Sequence, residues 1–263
     1  MITFYKYQGA GNDFILLNNL ANDIFLDREQ IKFLCDRRFG VGADGLMMVQ
    51  PKAGFDFEMK YYNSDGNEST MCGNGGRCIV KFADKIGLMK DQYSFLAIDG
   101  PHEAKILKNG WVELKMNDVT AITPVDDGFF LNTGSPHLIL QKDGLSTFDV
   151  AANGRTIRNS PRFLNEGVNV NFVEQSENGD GLFVRTYERG VENETLSCGT
   201  GVTAAALAFS STLTGRQEVK IQTLGGDLLV KFYRSDDQKF SDIWLCGPAE
   251  FVFEGTINLA AKQ

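Results

Sequence analysis

Strand-like and helix-like stretches alternate along this chain, and the order in which they occur repeats. The segment Phe55-Asp56-Phe57-Glu58-Met59-Lys60-Tyr61 alternates apolar and polar positions as a half-buried strand does, and so does Leu182-Phe183-Val184-Arg185-Thr186-Tyr187. Downstream of each, the period changes. Ile79, Phe82, Ala83 and Ile86 recur at i, i+3, i+4 and i+7, as do Val202, Ala205, Ala206 and Phe209, so each stretch predicts a helix. Two more strand-like runs follow each helix: Tyr93–Ile98 and Trp111–Lys115 after the first, Glu218–Thr223 and Leu228–Tyr233 after the second.

Between strand and helix the two halves share a motif. Glu68-Ser69-Thr70-Met71-Cys72-Gly73-Asn74-Gly75 and Glu194-Thr195-Leu196-Ser197-Cys198-Gly199-Thr200-Gly201 both fit Glu-[Ser/Thr]-x-x-Cys-Gly-x-Gly. The starts of the halves correspond as well: Gly9 to Phe14 leads into Ile15-Leu16-Leu17, and Asn132 to His137 leads into Leu138-Ile139-Leu140. Self-similarity of this kind marks a duplicated unit. It predicts a mixed α/β (α+β) protein of two homologous, pseudo-symmetric lobes, each a mainly antiparallel sheet or barrel around a central helix. The first lobe is expected over 1–118 and carries Cys72; the second, over 119–251, carries Cys198, with the boundary near Asn117 to Thr123. The last strand, about 252–263, is a candidate to cross back to the first lobe.

Composition narrows the function. A length of 263 residues accommodates two ordinary domains with real cores. The formal charge of −8 argues against nucleic acid as the main partner and against an anionic membrane surface. No apolar run approaches the roughly 20 residues of a transmembrane helix. Met1 to Lys6 lacks the charged stretch and apolar core of a signal peptide, so a cytoplasmic location is expected. Five cysteines in a reducing compartment are expected as thiols, each either core filler or chemistry. With no Cys-x-x-Cys, and only His102 and His137 as histidines, a metal site is not expected.

The repeated motif is where chemistry concentrates. A cysteine just ahead of a helix feels the partial positive charge of the first-turn N–H groups, which favours the thiolate. The adjoining glycines let that backbone approach a ligand, and its amides can hold a carboxylate. If the halves face each other, two thiols flank one carboxylate. That arrangement suits removal of a proton from one face of Cα and return of a proton to the other, the thiols trading the roles of base and acid. A buried cysteine is most often a small hydrophobe; two in register at helix starts favour function. Cys35, Cys78 and Cys246 read as core. His102, after Gly100-Pro101, reads as an exposed turn residue.

These residues resemble the diaminopimelate epimerase family. Gly11-Asn12-Asp13-Phe14, Gly40 to Gly45, Asn63-x-Asp65-Gly66, Met71 to Cys78 as M-C-G-N-G-G-R-C, Pro136-His137, Val168-Asn169-Val170, Tyr187-Glu188-Arg189-Gly190 and Glu194 to Gly201 fall in family order across nearly the whole chain. The resemblance implies interconversion of LL- and meso-2,6-diaminopimelate, a small-molecule substrate of lysine and cell-wall precursor synthesis, without a cofactor or metal. It implies Cys72 and Cys198 as base and acid, and His137 and Glu188 as the neighbours that tune them. Asn12, Asn63, Asn169 and Arg189 would hold the distal end of the substrate with Glu188 beside them, and Gly73, Asn74, Gly199 and Thr200 would supply amides to the reacting carboxylate. It leaves a homodimer open. Three places depart from the family: Gly45 stands where some members have Gln, Ser135 where Asn commonly precedes Pro-His, and the loop Val191-Glu192-Asn193 is one residue longer. Rival readings are another racemase of this fold acting on proline, hydroxyproline or a basic amino acid, a dithiol redox protein, and a non-catalytic amino-acid binder.

Overall fold

In the computed structural model, which describes residues 1–259 apart from 126, 177, 178, 180 and 237, two compact units use one strand plan. The first comprises Met1–Leu114 and the segment that begins at Pro248. Its strands are β1 (Ile2–Gly9), β2 (Asn12–Asn18), β3 (Gly45–Gln50), β4 (Phe57–Asn63), β5 (Gln92–Ala97), β6 (Gly100–Ile106) and β7 (Val112–Lys115). Helix α1 (Arg28–Cys35) joins β2 to β3, and α2 (Gly73–Lys85) joins β4 to β5. Those two pairings are parallel, and each needs a crossover that the helix supplies. The pairs β1–β2, β3–β4, β5–β6 and β6–β7 are antiparallel.

The second unit spans Lys115–Gly247. It contains β8 (Ile122–Val125), β9 (Gly128–Asn132), β10 (Pro136–Gln141), β11 (Asn169–Gln175), β12 (Gly181–Glu188), β13 (Asn193–Thr195), β14 (Gly215–Thr223), β15 (Gly226–Arg234) and β16 (Phe240–Gly247). Helices α3 (Val150–Arg158) and α4 (Gly199–Ala208) bridge the parallel steps β10–β11 and β12–β14. The pairs β9–β10, β11–β12, β14–β15 and β15–β16 are antiparallel, matching the first unit step for step. Even the extra edge strand recurs: β8 pairs with β9 as the last described strand, β17 (Glu250–Ile257), pairs with β1. The final four residues of the expected returning strand, 260–263, lie outside the described residues.

The alternating side chains of β2 explain the layering. Ile15 and Leu17 pack with Ile31 and Leu34 of α1, whereas Phe14 lies against Gly75 of α2. With both faces covered, the strand reads as a continuous apolar run rather than an alternating one. In the second unit Leu138, Val150, Val170, Phe172 and Tyr187 form the corresponding cluster under α3. The other two helices are enclosed. Residues 73–80 of α2 are all buried, and α4 buries eight of its residues in a sequence that is apolar or small all round, which requires cover on every side.

One expectation is corrected. His102 is not an exposed turn residue: it lies within β6, stacked on Phe95 with ring centroids 5.3 Å apart and Nε2 3.3 Å from Asp99 Oδ1. The hairpin turns at Ile98-Asp99, because Ala97 pairs with Gly100. Gly100, at φ +122°, takes the left-handed backbone just past the turn, so Gly-Pro opens the strand. No helix among the described residues is long and apolar enough to cross a membrane.

Candidate active site

Both cysteines of the repeated motif take the N-cap position of an enclosed helix. Cys72 (φ −99°, ψ 135°) precedes α2 and Cys198 (φ −117°, ψ 112°) precedes α4, and neither side chain caps its helix. The first turns close through Gly76 N–H donating to Cys72 O (2.7 Å) and Val202 N–H donating to Cys198 O (2.9 Å). First-turn N–H groups have no partner within their own helix, and no acidic side chain stands in either first turn to offset their charge. A thiolate and a carboxylate are the species such a terminus stabilises.

The strand plan gathers the other expected residues at the same end of each unit. In the first, Asn12 opens β2, Gly45 opens β3, and Asn63 ends β4 paired with Gly45 in register, a short loop before Cys72. In the second, His137 stands near the start of β10, paired with Asn169 at the start of β11, and Glu188 ends β12 ahead of Cys198. Parallel steps set these ends side by side, since each crossover helix returns the chain to the end at which the preceding strand began.

In the first unit the Cys72 thiol donates to Asn12 Oδ1 at 3.7 Å. Asn12 Nδ2 donates to Asp44 Oδ2 (2.5 Å), and Arg37 joins Asp44 to Asp13 with N–O distances of 2.7 to 2.9 Å. Burial alone would raise the Asp13 carboxyl, but hydrogen bonds from Arg37 and Lys6 hold it far below the usual carboxylate range. Lys6 also donates to Gly42 O. Asn12 is thus braced by charge behind it. Asn63 is exposed in a turn closed by Gly66 N–H donating to Asn63 O (2.9 Å). Gly45 is a packing necessity: a Cβ there would lie 2.6 Å from the Tyr61 ring and 2.7 Å from Tyr62 O. Asn74 is buried, its Oδ1 accepting from Arg77 Nη2 at 2.9 Å.

In the second unit Cys198 Sγ lies 3.5 Å from Thr200 Oγ1, which lies 3.2 Å from Ser135 Oγ, itself 3.0 Å from His137 Nε2. Asn169 donates to Ser135 Oγ and accepts from Arg189 N–H. Arg189 Nη1 donates to Glu166 O, and Glu188 Oε2 accepts from Thr195 Oγ1, each at 2.9 Å. Gly199 is buried next to the Cys198 cap. All five cysteines are thiols rather than disulfides. Burial pushes the Cys35 and Cys78 thiols up to about 12, which removes them from acid–base work.

His137 is wholly buried, and desolvation, with Arg189 nearby, pushes it down to about 3. Its neutral form is therefore built into the fold. Below the ordinary histidine value of 6.5 the unfolded chain takes up a proton that the folded one refuses, so stability is lost as pH falls. Between pH 6.5 and 5 this single residue is expected to cost about 2 kcal/mol. Urea denaturation of wild type and His137→Gln should differ in acid sensitivity by that amount; equal slopes would contradict it.

Sequence pattern alone assigns no role to four further side chains beside these residues. Arg77 is fully buried and donates to Gly73 O (3.1 Å), Asn74 Oδ1 (2.9 Å) and Pro248 O (3.3 Å). The repeat hides it, because Thr203 stands at the matching place and its Oγ1 holds Gly199 O instead (2.9 Å). Asn171, Thr186 and Thr133 carry no signal beyond being polar residues within or beside apolar runs. Thr133 Oγ1 donates to Thr200 O (2.8 Å).

The sequence profile of the family described as diaminopimelate epimerase matches residues 4–122 and 129–252. A diaminopimelate epimerase of Flavobacterium psychrophilum is 50% identical over 256 residues, covering 96% of this chain and 99% of that one. One from Chlorobaculum tepidum is 40% identical, covering 95% and 99%. Among solved structures, a Bacillus anthracis phenazine biosynthesis protein of the PhzF family superposes with a TM-score of 0.76 at 14% identity, over 98% of this chain and 99% of that one. A hydroxyproline epimerase from Agrobacterium vitis reaches 0.66 at 12% identity, over 97% and 91%. At such identities the structural likeness concerns the fold.

Proposed function

The chain belongs to the diaminopimelate epimerase family, and from that premise we propose that it interconverts LL- and meso-2,6-diaminopimelate with Cys72 and Cys198 as the acid–base pair. It is an isomerase, and the step to be catalysed is inversion at one Cα. One sulfur, as thiolate, takes the α-proton, leaving the C–H electron pair on Cα to spread into the carboxylate. The other, as thiol, delivers its proton to the opposite face and closes a new C–H bond. Each turnover therefore exchanges the protonation states of the two sulfurs, and their titration belongs to the pair. The observation that carries this reading is the matched placement of two N-cap cysteines in a duplicated unit.

In this reading the amides around Gly73, Asn74, Gly199 and Thr200 hold the reacting carboxylate and stabilise the charge that builds on it. Asn63, Asn169, Glu188 and Arg189 address the distal amino and carboxylate groups, and His137 and Glu188 set the surroundings of the thiols. Asn12 takes a second duty through its contact with Cys72.

Proton NMR of LL-diaminopimelate in D₂O, with pure protein and no added cofactor, tests the reading. The α-proton signal is expected to wash out while the meso isomer appears, and proline or hydroxyproline is expected to keep its α-proton. Inversion of proline instead would move the chain to the rival racemase class.

A further inference from the structure

Resting on Cys198 as a working thiol, we infer that Ser135 and Thr200 form a one-way hydroxyl relay that ends in a hydrogen bond donated to Cys198 Sγ. His137 acts on the thiol through this relay, as a positioning residue. The two hydroxyls could in principle point either way; two amides whose orientations are fixed elsewhere decide the direction.

The first amide is that of Asn171. Its Nδ2 faces Leu138 O (3.2 Å) and Asn169 O (3.3 Å), which can only accept, and its Oδ1 accepts from Thr186 Oγ1 (2.9 Å). The group facing His137 Nδ1 at 3.1 Å is therefore a donor. A neutral imidazole that accepts on Nδ1 carries its proton on Nε2. That N–H points at Ser135 Oγ, 3.0 Å away.

The second amide is that of Asn169. Arg189 N–H donates to its Oδ1 at 2.9 Å, so Nδ2 is the group that donates to Ser135 Oγ (3.0 Å) and Pro136 O (3.2 Å). Ser135 Oγ thus receives two hydrogens, which fills both its lone pairs. Its own hydrogen goes to Thr200 Oγ1 at 3.2 Å, and Thr200 in turn directs its hydrogen to Cys198 Sγ at 3.5 Å. Everything in the chain is polarised toward sulfur. A thiolate gains from this and a thiol does not, so the relay favours the ionised form. His137, donating on one nitrogen and accepting on the other, is committed at both ends and cannot ferry the substrate proton without dismantling the chain.

The relay involves one unit alone, which supplies an internal reference in Cys72. Rates of iodoacetamide alkylation at each cysteine, followed by peptide mass spectrometry across pH in the absence of substrate, test it. Ser135→Ala and Thr200→Val are each expected to slow Cys198 alkylation at pH 7 about tenfold and to move its pH profile upward. Ser135→Thr and Thr200→Ser, which keep the hydroxyl, should restore it, and Cys72 should react at its wild-type rate throughout. Wild-type alkylation of Cys198 in both Ser135→Ala and Thr200→Val overturns the relay, and so does slowing that strikes Cys72 equally. Because this readout needs no substrate, it stands apart from the epimerase reading: inversion surviving in Cys198→Ala would strike down that reading alone.

Discussion

Replacing either Cys72 or Cys198 by Ala is expected to reduce inversion of diaminopimelate by about 10³–10⁴-fold, with little change in folding. A two-base mechanism has no substitute for a missing partner. Cys78 sits in the same helix as the Cys72 cap, but it is enclosed and its thiol is pushed up to about 12. Water has no comparable position or basicity. The two variants should nevertheless differ. Each keeps one thiol, which in the proposed mechanism would still reach the α-proton on its own side. In D₂O one variant is therefore expected to exchange the α-proton of the LL isomer without inverting it, and the other to exchange at the meso centre. NMR for exchange and chiral chromatography for inversion separate the two processes. Near-wild-type inversion in either variant would falsify that thiol's role.

Arg77→Met is expected to lower stability by about 3–5 kcal/mol, the largest effect on folding foreseen for a single site, through the buried acceptors it leaves unmet. The guanidinium is fully buried and donates to Gly73 O, Asn74 Oδ1 and Pro248 O. Methionine fills much of the space but answers none of the acceptors, and each buried acceptor left unmet costs about 1–3 kcal/mol. The loss extends to chemistry, because two of the three acceptors belong to the residues directly after Cys72. Chemical denaturation should register the destabilisation, and residual activity under native conditions should fall. Alkylation at Cys198, in the other unit, should be unaffected. A change below about 1 kcal/mol would mean that the surroundings reorganise around the apolar side chain.

The duplicated plan was legible because it is written in periodicity. Period-2 runs and 3.6-period runs follow in the same order twice, and the Cys-Gly-x-Gly segments fall where one period gives way to the other. The strand Gly100–Ile106 was not legible, since Gly and Pro at its start imitate a turn while the actual turn residues, Ile98 and Asp99, lack a strong turn signature. Within the site, the cysteines and His137 stood out by residue type and repetition. Arg77 did not, because burial of a guanidinium depends on three backbone and side-chain oxygens brought from Gly73, Asn74 and the distant Pro248. Ser135 looked like a loss relative to the family. Its partners, Thr200 and Asn169, lie 65 and 34 residues away, and no local pattern encodes such a meeting.

The pairing of β1 with β17 has a consequence for synthesis on the ribosome. The second unit is encoded continuously, whereas β1 keeps a bare hydrogen-bonding edge until residues 250–257 follow. At typical elongation rates that edge waits on the order of tens of seconds. Nascent chains stalled before Glu250 are the form in which this protein would be most prone to wrong strand partners, and thus most dependent on chaperones.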